Sequence, residues 1–184
     1  MFGNECFAKL IADYEFSTVL DVGAGAGDAT KAFRLAGKDV ISTDLSTDGT
    51  YTLTRFDDPF DLVWCSHTLE HAPCVQAFIR KLADDCKEGG VLAVTVPPLK
   101  HEIVGGHVNL FNAGLLTYRL CLAGLDCTEI RLHKYGYNIS AILQKRSVQL
   151  PKLIWDSGDI DTLQPFLPAF LHNNAYGDIA SWNW

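Results

Sequence analysis

Apolar and polar positions along this chain alternate between a helical rhythm and a strand rhythm. Residues 2–11 set Phe2, Cys6 or Phe7, and Leu10 at helical spacing and predict an amphipathic opening helix. Residues 18–22 (TVLDV) predict a strand, 28–35 a helix ending at Gly37, and 40–44 (VISTD) a second strand closing on a carboxylate. Residues 50–54 predict a short third strand, and 60–66 (FDLVWCS) a stronger one. A helix follows from near Pro73, a residue suited to the first helical position. It runs to Lys87 and stops at Gly89-Gly90. Residues 91–96 (VLAVTV) form an apolar strand that Pro97-Pro98 ends, since proline cannot extend a central ladder. Beyond the loop 99–111, residues 112–123 predict a helix ending at Gly124. Residues 127–133 and 138–145 then read as strands joined across Tyr135-Gly136-Tyr137, a connection so short that it requires an antiparallel pair.

Strands alternating with helices predict an α/β architecture: a Rossmann-like, doubly wound, mostly parallel sheet with a terminal antiparallel hairpin. Only sixteen residues separate Asp44 from Asp61, room for a loop and a short strand but scarcely for a crossover helix. The fold is expected to be trimmed there, leaving one sheet face for a partner chain or the C-terminal segment to cover. Residues 151–184 carry three prolines and three tryptophans with weak periodicity. They read as an irregular extension that packs on the 1–150 domain or on a second copy in a homo-oligomer, with Trp155, Trp182 and Trp184 expected to pack down on the domain.

Composition narrows the function classes. At 184 residues the chain has single-domain length, and fifteen Lys plus Arg against twenty-two Asp plus Glu give a formal charge of −7. That field opposes nucleic acid and anionic membranes as partners. The six cysteines include no C-x-x-C pair and read as buried thiols of a reducing compartment. Residues 1–16 lack the layout of a signal peptide, so a cytoplasmic location is expected.

The strand at 18–22 runs into Gly23-Ala24-Gly25-Ala26-Gly27-Asp28 and then a helix. Glycines there let a ligand lie against bare backbone and face the free N–H groups of a helix start. A dinucleotide turn wants Gly-x-Gly-x-x-Gly. Here the third glycine comes one residue early, and Asp28 would repel a pyrophosphate. The turn suits a ligand without phosphates, with Asp21 accepting from a cationic group; S-adenosylmethionine has that chemistry.

Four segments in order resemble the class I, Rossmann-like S-adenosylmethionine-dependent methyltransferases, particularly small-molecule enzymes of quinone biosynthesis and glycan modification. They are residues 19–27 (VLDVGAGAG), 60–73 (FDLVWCSHTLEHAP), 87–97 (KEGGVLAVTVP) and 106–111 (GHVNLF), within a likeness spanning about 18–145. The resemblance implies S-adenosyl-L-methionine as cofactor and a small-molecule acceptor, a sugar or nucleotide-linked sugar among them, methylated on oxygen or nitrogen. It sets Asp21, Gly23, Gly25 and Gly27 around the methionine portion, Asp44 on the ribose hydroxyls, Leu45 on adenine, Asp57 or Asp58 near the adenine amine, and Ser66 and His67 where the fourth strand of the family opens onto the cofactor. Two other functions stay open: a non-catalytic S-adenosylmethionine-binding scaffold and a nicotinamide-dependent oxidoreductase.

Methyl transfer needs alignment and, for a hydroxyl or ammonium acceptor, a base. His67, His71, His101 and His107 stand near strand ends where open α/β sheets bind ligands. His107 is the first choice, with His71 beside it, although His107 also reads as a cap for the next helix. Asp44 equally reads as a turn residue. His67-Thr68-Leu69-Glu70-His71 matches the H-x-x-E-H of inverted zinc peptidases, a reading that needs both histidines on one helix and a third ligand. Some quinone-biosynthesis methyltransferases hold a divalent metal through an acid and Glu-His at this place. With His67 in place of the acid a magnesium site is doubtful. Glu70 and His71 are read as supporting and packing groups and no metal site is assigned.

Overall fold

The computed structural model describes residues 1–44, 51–173 and 176–184. Helix α1 (Asn4–Asp13) leads into β1 (Thr18–Val22), α2 (Asp28–Leu35) and β2 (Asp39–Thr43). Strand β3 (Phe60–Ser66), α3 (Val75–Asp85) and β4 (Cys86–Val96) follow. Then come α4 (Ala113–Leu122), the hairpin β5 (Arg131–Tyr135) and β6 (Asn138–Gln144), the short α5 (Asp159–Thr162) and β7 (Ser181–Trp182). The sheet order is β2-β1-β3-β4-β6-β5-β7. Strands β2, β1, β3 and β4 pair in parallel, while β6, β5 and β7 join antiparallel. The expected α/β sheet with a terminal hairpin is what forms.

Alternating side chains divide two cores across the sheet. Val19, Leu62, Trp64 and Ala93 pack with Cys6 and Leu10 of α1 and Phe33 of α2. Leu20, Val63, Leu92 and Val94 face Phe78 and Leu82 of α3 and Leu116 and Leu120 of α4. Because both faces of the middle strands are covered, these segments read in sequence as continuous apolar runs rather than as alternation.

Four expectations are corrected. Residues 50–54 make no strand where described: Tyr51–Leu53 is a 3-10 turn. Tyr51 turns its ring inward to 1 % exposure, tilts against Phe78 and donates to Asp85 Oδ2 at 2.7 Å, while Leu53 points outward. Asp85 also pairs with buried Lys81. Second, Gly89-Gly90 does not separate helix from strand, because β4 begins at Cys86. Instead the glycines lie in a register shift against β3, where a Cβ on Gly90 would come within 2.9 Å of the Asp61 carbonyl. Third, the hairpin strand expected over 127–133 starts at Arg131, since Cys127 and Ile130 are tied into a turn (Ile130 N–H to Cys127 O, 3.1 Å).

Fourth, the C-terminal extension goes to the edge opposite the trimmed side. Leu163, Leu167 and Leu171 join the core under α4, and β7 pairs with β5, leaving Ile41 of β2 half exposed. Trp155 is exposed rather than packed, whereas Trp184 stacks on His133. All six cysteines are free. Cys74 is exposed; the other five are buried, and burial pushes the Cys6, Cys86 and Cys121 thiols up to about 12, which makes them poor nucleophiles. No helix among the described residues is long and apolar enough to cross a membrane.

Candidate functional site

The glycine turn hangs from β2 and opens α2. Gly23 and Ala24 donate to the Thr43 carbonyl at 2.8 and 2.9 Å, and Gly27, at φ +76, precedes the first helical residue Asp28. Gly23 is required from within: at φ +79 its missing Cβ would lie 1.9 Å from Thr68 Oγ1. Gly25 and Gly27 differ, since a Cβ on either meets nothing within 4 Å. Their bareness faces open space.

That space is a cleft of about 610 Å³ over the C-terminal ends of β1 and β3, lined at one end by Asp21, the turn and Asp28 and at the other by Ser66, His67, Glu70, His71 and His107. A second cavity of about 390 Å³ shares Ala24, Gly25 and Ala26 and continues past Ser42, Thr43 and Asp44. Of the residues singled out in the sequence, Asp21, Gly23, Gly25, Ser66, His67, His71 and His107 line the first cavity. Gly27 and Asp44 line the second. Asp57 is exposed and lines neither, as is true of His101; Leu45 lies outside the described residues.

Asp21 is 1 % exposed, accepts from Thr30 Oγ1 at 2.6 Å, and is held above the usual carboxylate range by burial. At the opposite end, a 3-10 turn (Leu69–His71) follows His67, which sits in the left-handed region at φ 52. The two histidines therefore do not share a helix, and the peptidase arrangement is absent. His67 Nε2 lies 3.0 Å from Asn138 Oδ1 and His71 Nδ1 lies 2.8 Å from the Gly106 carbonyl. His67 Nδ1 and His71 Nε2 stand 3.5 and 3.7 Å from the same oxygen, Glu70 Oε1. Burial pushes Glu70 up and His67 down; His107 is also lowered, by burial and then by the neighbouring His71.

The loop between β4 and α4 is tied to this turn. Val108 and Asn109 donate backbone N–H groups to the Glu70 carbonyl at 2.9 and 3.1 Å, and Asn109 Nδ2 reaches Ala72 O at 2.8 Å. His107 thus stands beside His71, ring centroids 5.0 Å apart. The cap of α4 is Asn112, whose Oδ1 accepts from Leu115 N at 2.7 Å, so His107 is not the helix cap.

Sequence reasoning missed Met1, Phe2, Trp64 and Tyr137 in the lining. Phe2 stacks on His67 at 4.1 Å, and Lys100 Nζ lies 4.4 Å from the Tyr137 ring. Tyr137 had a usable signal, since an aromatic in a tight Tyr-Gly-Tyr hairpin has little to bury against locally. Phe2 had none, because its place depends on Gly3 donating to Asn138, 135 residues away.

A family model described as a methyltransferase domain matches residues 4–130, more than half of the chain. The chain belongs to the methyltransferase-domain family. Its fold is found in solved structures at low identity. The Burkholderia thailandensis 1,6-didemethyltoxoflavin-N1-methyltransferase, bound to 1,6-didemethyltoxoflavin and S-adenosylhomocysteine, superposes with a TM-score of 0.65 at 16 % identity, covering 78 % of this chain and 77 % of that one. A SAM-dependent methyltransferase from Archaeoglobus fulgidus gives 0.59 at 16 % identity, covering 78 % and 94 %. An O-methyltransferase family protein from Burkholderia thailandensis gives 0.56 at 16 % identity, covering 80 % and 57 %. These likenesses establish the fold. No match among curated proteins is found by sequence. Family and fold together make the chain a methyltransferase of the Rossmann-like, S-adenosylmethionine-dependent class, as the four motifs imply.

The residues present fit that cofactor: open space over Gly25 and Gly27, and a buried carboxylate, Asp21, on the same wall. They do not fit a magnesium site, which wants oxygen donors, because two of the three groups clustered at the far end are imidazoles.

Proposed function

We propose that this methyltransferase moves the methyl group of S-adenosylmethionine to an oxygen or nitrogen of a small acceptor that binds in the cleft beside His71 and His107. The observation that carries the reading is one continuous cleft, with the bare glycine turn and Asp21 at one end and His71, its Nδ1 turned to the Gly106 carbonyl, at the other. S-adenosylmethionine supplies the methyl and a sulfonium leaving group. Asp21 and the turn hold its methionine portion, and Asp44, in the adjoining cavity, takes the ribose hydroxyls.

The acceptor heteroatom forms its bond to the methyl carbon as the carbon–sulfur bond breaks, and the departing sulfur keeps the electron pair. The acceptor proton passes to His107 or to His71 Nε2. His71 is oriented for this because Nδ1 donates to Gly106 O, leaving Nε2 as the basic nitrogen. Phe2 and Tyr137 line the cleft with aromatic rings, which favours a planar or sugar-ring acceptor over an extended chain. The narrower likeness to quinone-biosynthesis and glycan-modifying enzymes suggests sugars and nucleotide-linked sugars as first candidates.

The test is S-adenosylhomocysteine release from a panel of hydroxylated and amino small molecules, run with wild type, His71→Ala and His107→Ala. Turnover on a panel member that falls in both variants supports the reading. Turnover that both variants retain in full removes the two histidines from the chemistry.

A further inference from the structure

Glu70 is 0 % exposed, yet neither carboxylate oxygen accepts a hydrogen bond from another residue. A buried polar group in that state is costly unless something electropositive answers it. The surrounding rings do not. His71 Nδ1 faces the Gly106 carbonyl, which can only accept, so Nδ1 carries a proton and the neutral ring turns its Nε2 lone pair to Glu70 Oε1, 3.7 Å away. Gly106 makes this approach feasible: at φ +82, a Cβ there would sit 3.2 Å from His71 Nδ1.

His67 repeats the logic. Its Nε2 faces Asn138 Oδ1, an oxygen identified by the Gly3 N–H that also donates to it and by Asn138 Nδ2 donating to Tyr135 O. Its Nδ1 lone pair is therefore turned to Glu70 Oε1. Lone pairs from two sides converge on a donorless carboxylate. His107 adds another ring nitrogen, and one ligand atom each from Glu70, His71 and His107 lie within 4.8 Å of one another.

We propose that Glu70, His71 and His107 bind a divalent transition ion of the Zn²⁺ type. Two imidazoles and one carboxylate suit such ions and not Mg²⁺. A metal-binding histidine characteristically donates its other ring N–H to a backbone carbonyl, as His71 does to Gly106. Zn²⁺ bonds of about 2.0–2.2 Å draw ligand atoms closer than 4.8 Å. The His71 side chain, 39 % exposed, and the loop-borne, partly exposed His107 have the freedom to close that gap. With the ion bound, the lone pairs of His71 and His107 are on the metal and neither ring is the base. The ion would instead leave a position open to the cleft and, as a Lewis acid, ease loss of the proton from an acceptor hydroxyl to water. That role rests on the methyl-transfer reading; the binding itself does not.

The experiment uses metal-free, full-length protein carrying Cys74→Ser, which removes the exposed thiol as a competing ligand. Zn²⁺ and Mg²⁺ are titrated by calorimetry, Co²⁺ by its visible absorption, and S-adenosylhomocysteine affinity is measured on the same samples. One Zn²⁺ per chain is expected, bound about a hundredfold or more tighter than Mg²⁺, with a Co²⁺ spectrum free of thiolate bands. His71→Ala, His107→Ala and Glu70→Gln should each weaken Zn²⁺ by about tenfold or more. His107, on an exposed loop, gives a variant that keeps its fold even if Glu70→Gln does not. Absence of saturable Zn²⁺ binding, equal affinity for Mg²⁺, or undiminished Zn²⁺ binding by His107→Ala overturns the proposal. S-adenosylhomocysteine binding that persists without Zn²⁺ binding defeats the metal site alone, whereas Zn²⁺ binding without S-adenosylhomocysteine binding defeats the methyl-transfer reading alone.

Discussion

Gly23 and Gly25 both hold positive φ, at +79 and +52, but a methyl group added to each should act on different properties. On Gly23 it would lie 1.9 Å from Thr68 Oγ1 and 2.6 Å from Cγ2. Left-handed strain costs about 1–2 kcal/mol and overpacking a further ~1–3 kcal/mol. Gly23→Ala should therefore lose roughly 2–5 kcal/mol of stability, a large share of the ~5–15 kcal/mol typical of a domain. On Gly25 the same methyl meets nothing within 4 Å. That variant should lose only the strain, about 1–2 kcal/mol, and stay folded. Its methyl occupies ligand space, so S-adenosylhomocysteine binding should weaken by about 1–3 kcal/mol, roughly five- to 150-fold in Kd. Urea unfolding reads the first effect and calorimetry the second. Thr68→Ala removes the two atoms nearest the Gly23 methyl, so adding it to Gly23→Ala should return part of the lost stability. Wild-type ligand affinity in Gly25→Ala, or a Gly23→Ala protein as stable as Gly25→Ala, would refute the division of roles.

His107→Ala should lower turnover by about a hundredfold or more while leaving S-adenosylhomocysteine affinity nearly unchanged; a large loss of cofactor affinity would move His107 to the other half of the site. Asp44→Ala should weaken S-adenosylhomocysteine by about 1.5–3 kcal/mol if its carboxylate binds the ribose, and wild-type affinity in a folded variant would remove that role. Asp61 accepts from the Ser17 and Thr18 backbone N–H groups at 2.9 Å and from Lys87, which hold its carboxyl well below the usual range. Its contribution is thus fully present above the unfolded pKa and lost as pH falls toward the depressed folded one. Asp61→Asn should cost about 1.5–3 kcal/mol at neutral pH, mostly through the two backbone bonds, since Lys87 is half exposed. The gap to wild type should shrink progressively below about pH 4; a gap independent of pH would show that the charge does not matter there.

Apolar runs bounded by Gly and Pro located β1, β3, β6 and the apolar half of β4 because those strands are buried on both faces, where composition alone marks a strand. The glycine turn was legible because the positive φ angles of Gly23, Gly25 and Gly27 are a local demand, although the Thr68 contact that also requires Gly23 is not. Residues 50–54 were not, since Tyr51 and Leu53 share a strand face on paper but part company once Tyr51 reaches Asp85. Gly89-Gly90 resembled a helix stop because the Asp61 carbonyl that demands bare backbone is distant in sequence. Within the site, the histidines stand out in the sequence by type, whereas the orphaned state of the Glu70 carboxylate does not, because its neighbours His67 and His71 are turned by Asn138 and Gly106, which lie on other elements.

The proposed function stands or falls with the bare glycine turn and Asp21 as the holders of S-adenosylmethionine. Calorimetric titration of the full-length protein with S-adenosylhomocysteine and, separately, with NAD tests it most directly. Saturable one-to-one binding of S-adenosylhomocysteine, lost progressively as Gly25 is enlarged, with no heat from NAD, is the predicted result. Saturable binding of NAD with none of S-adenosylhomocysteine would contradict it.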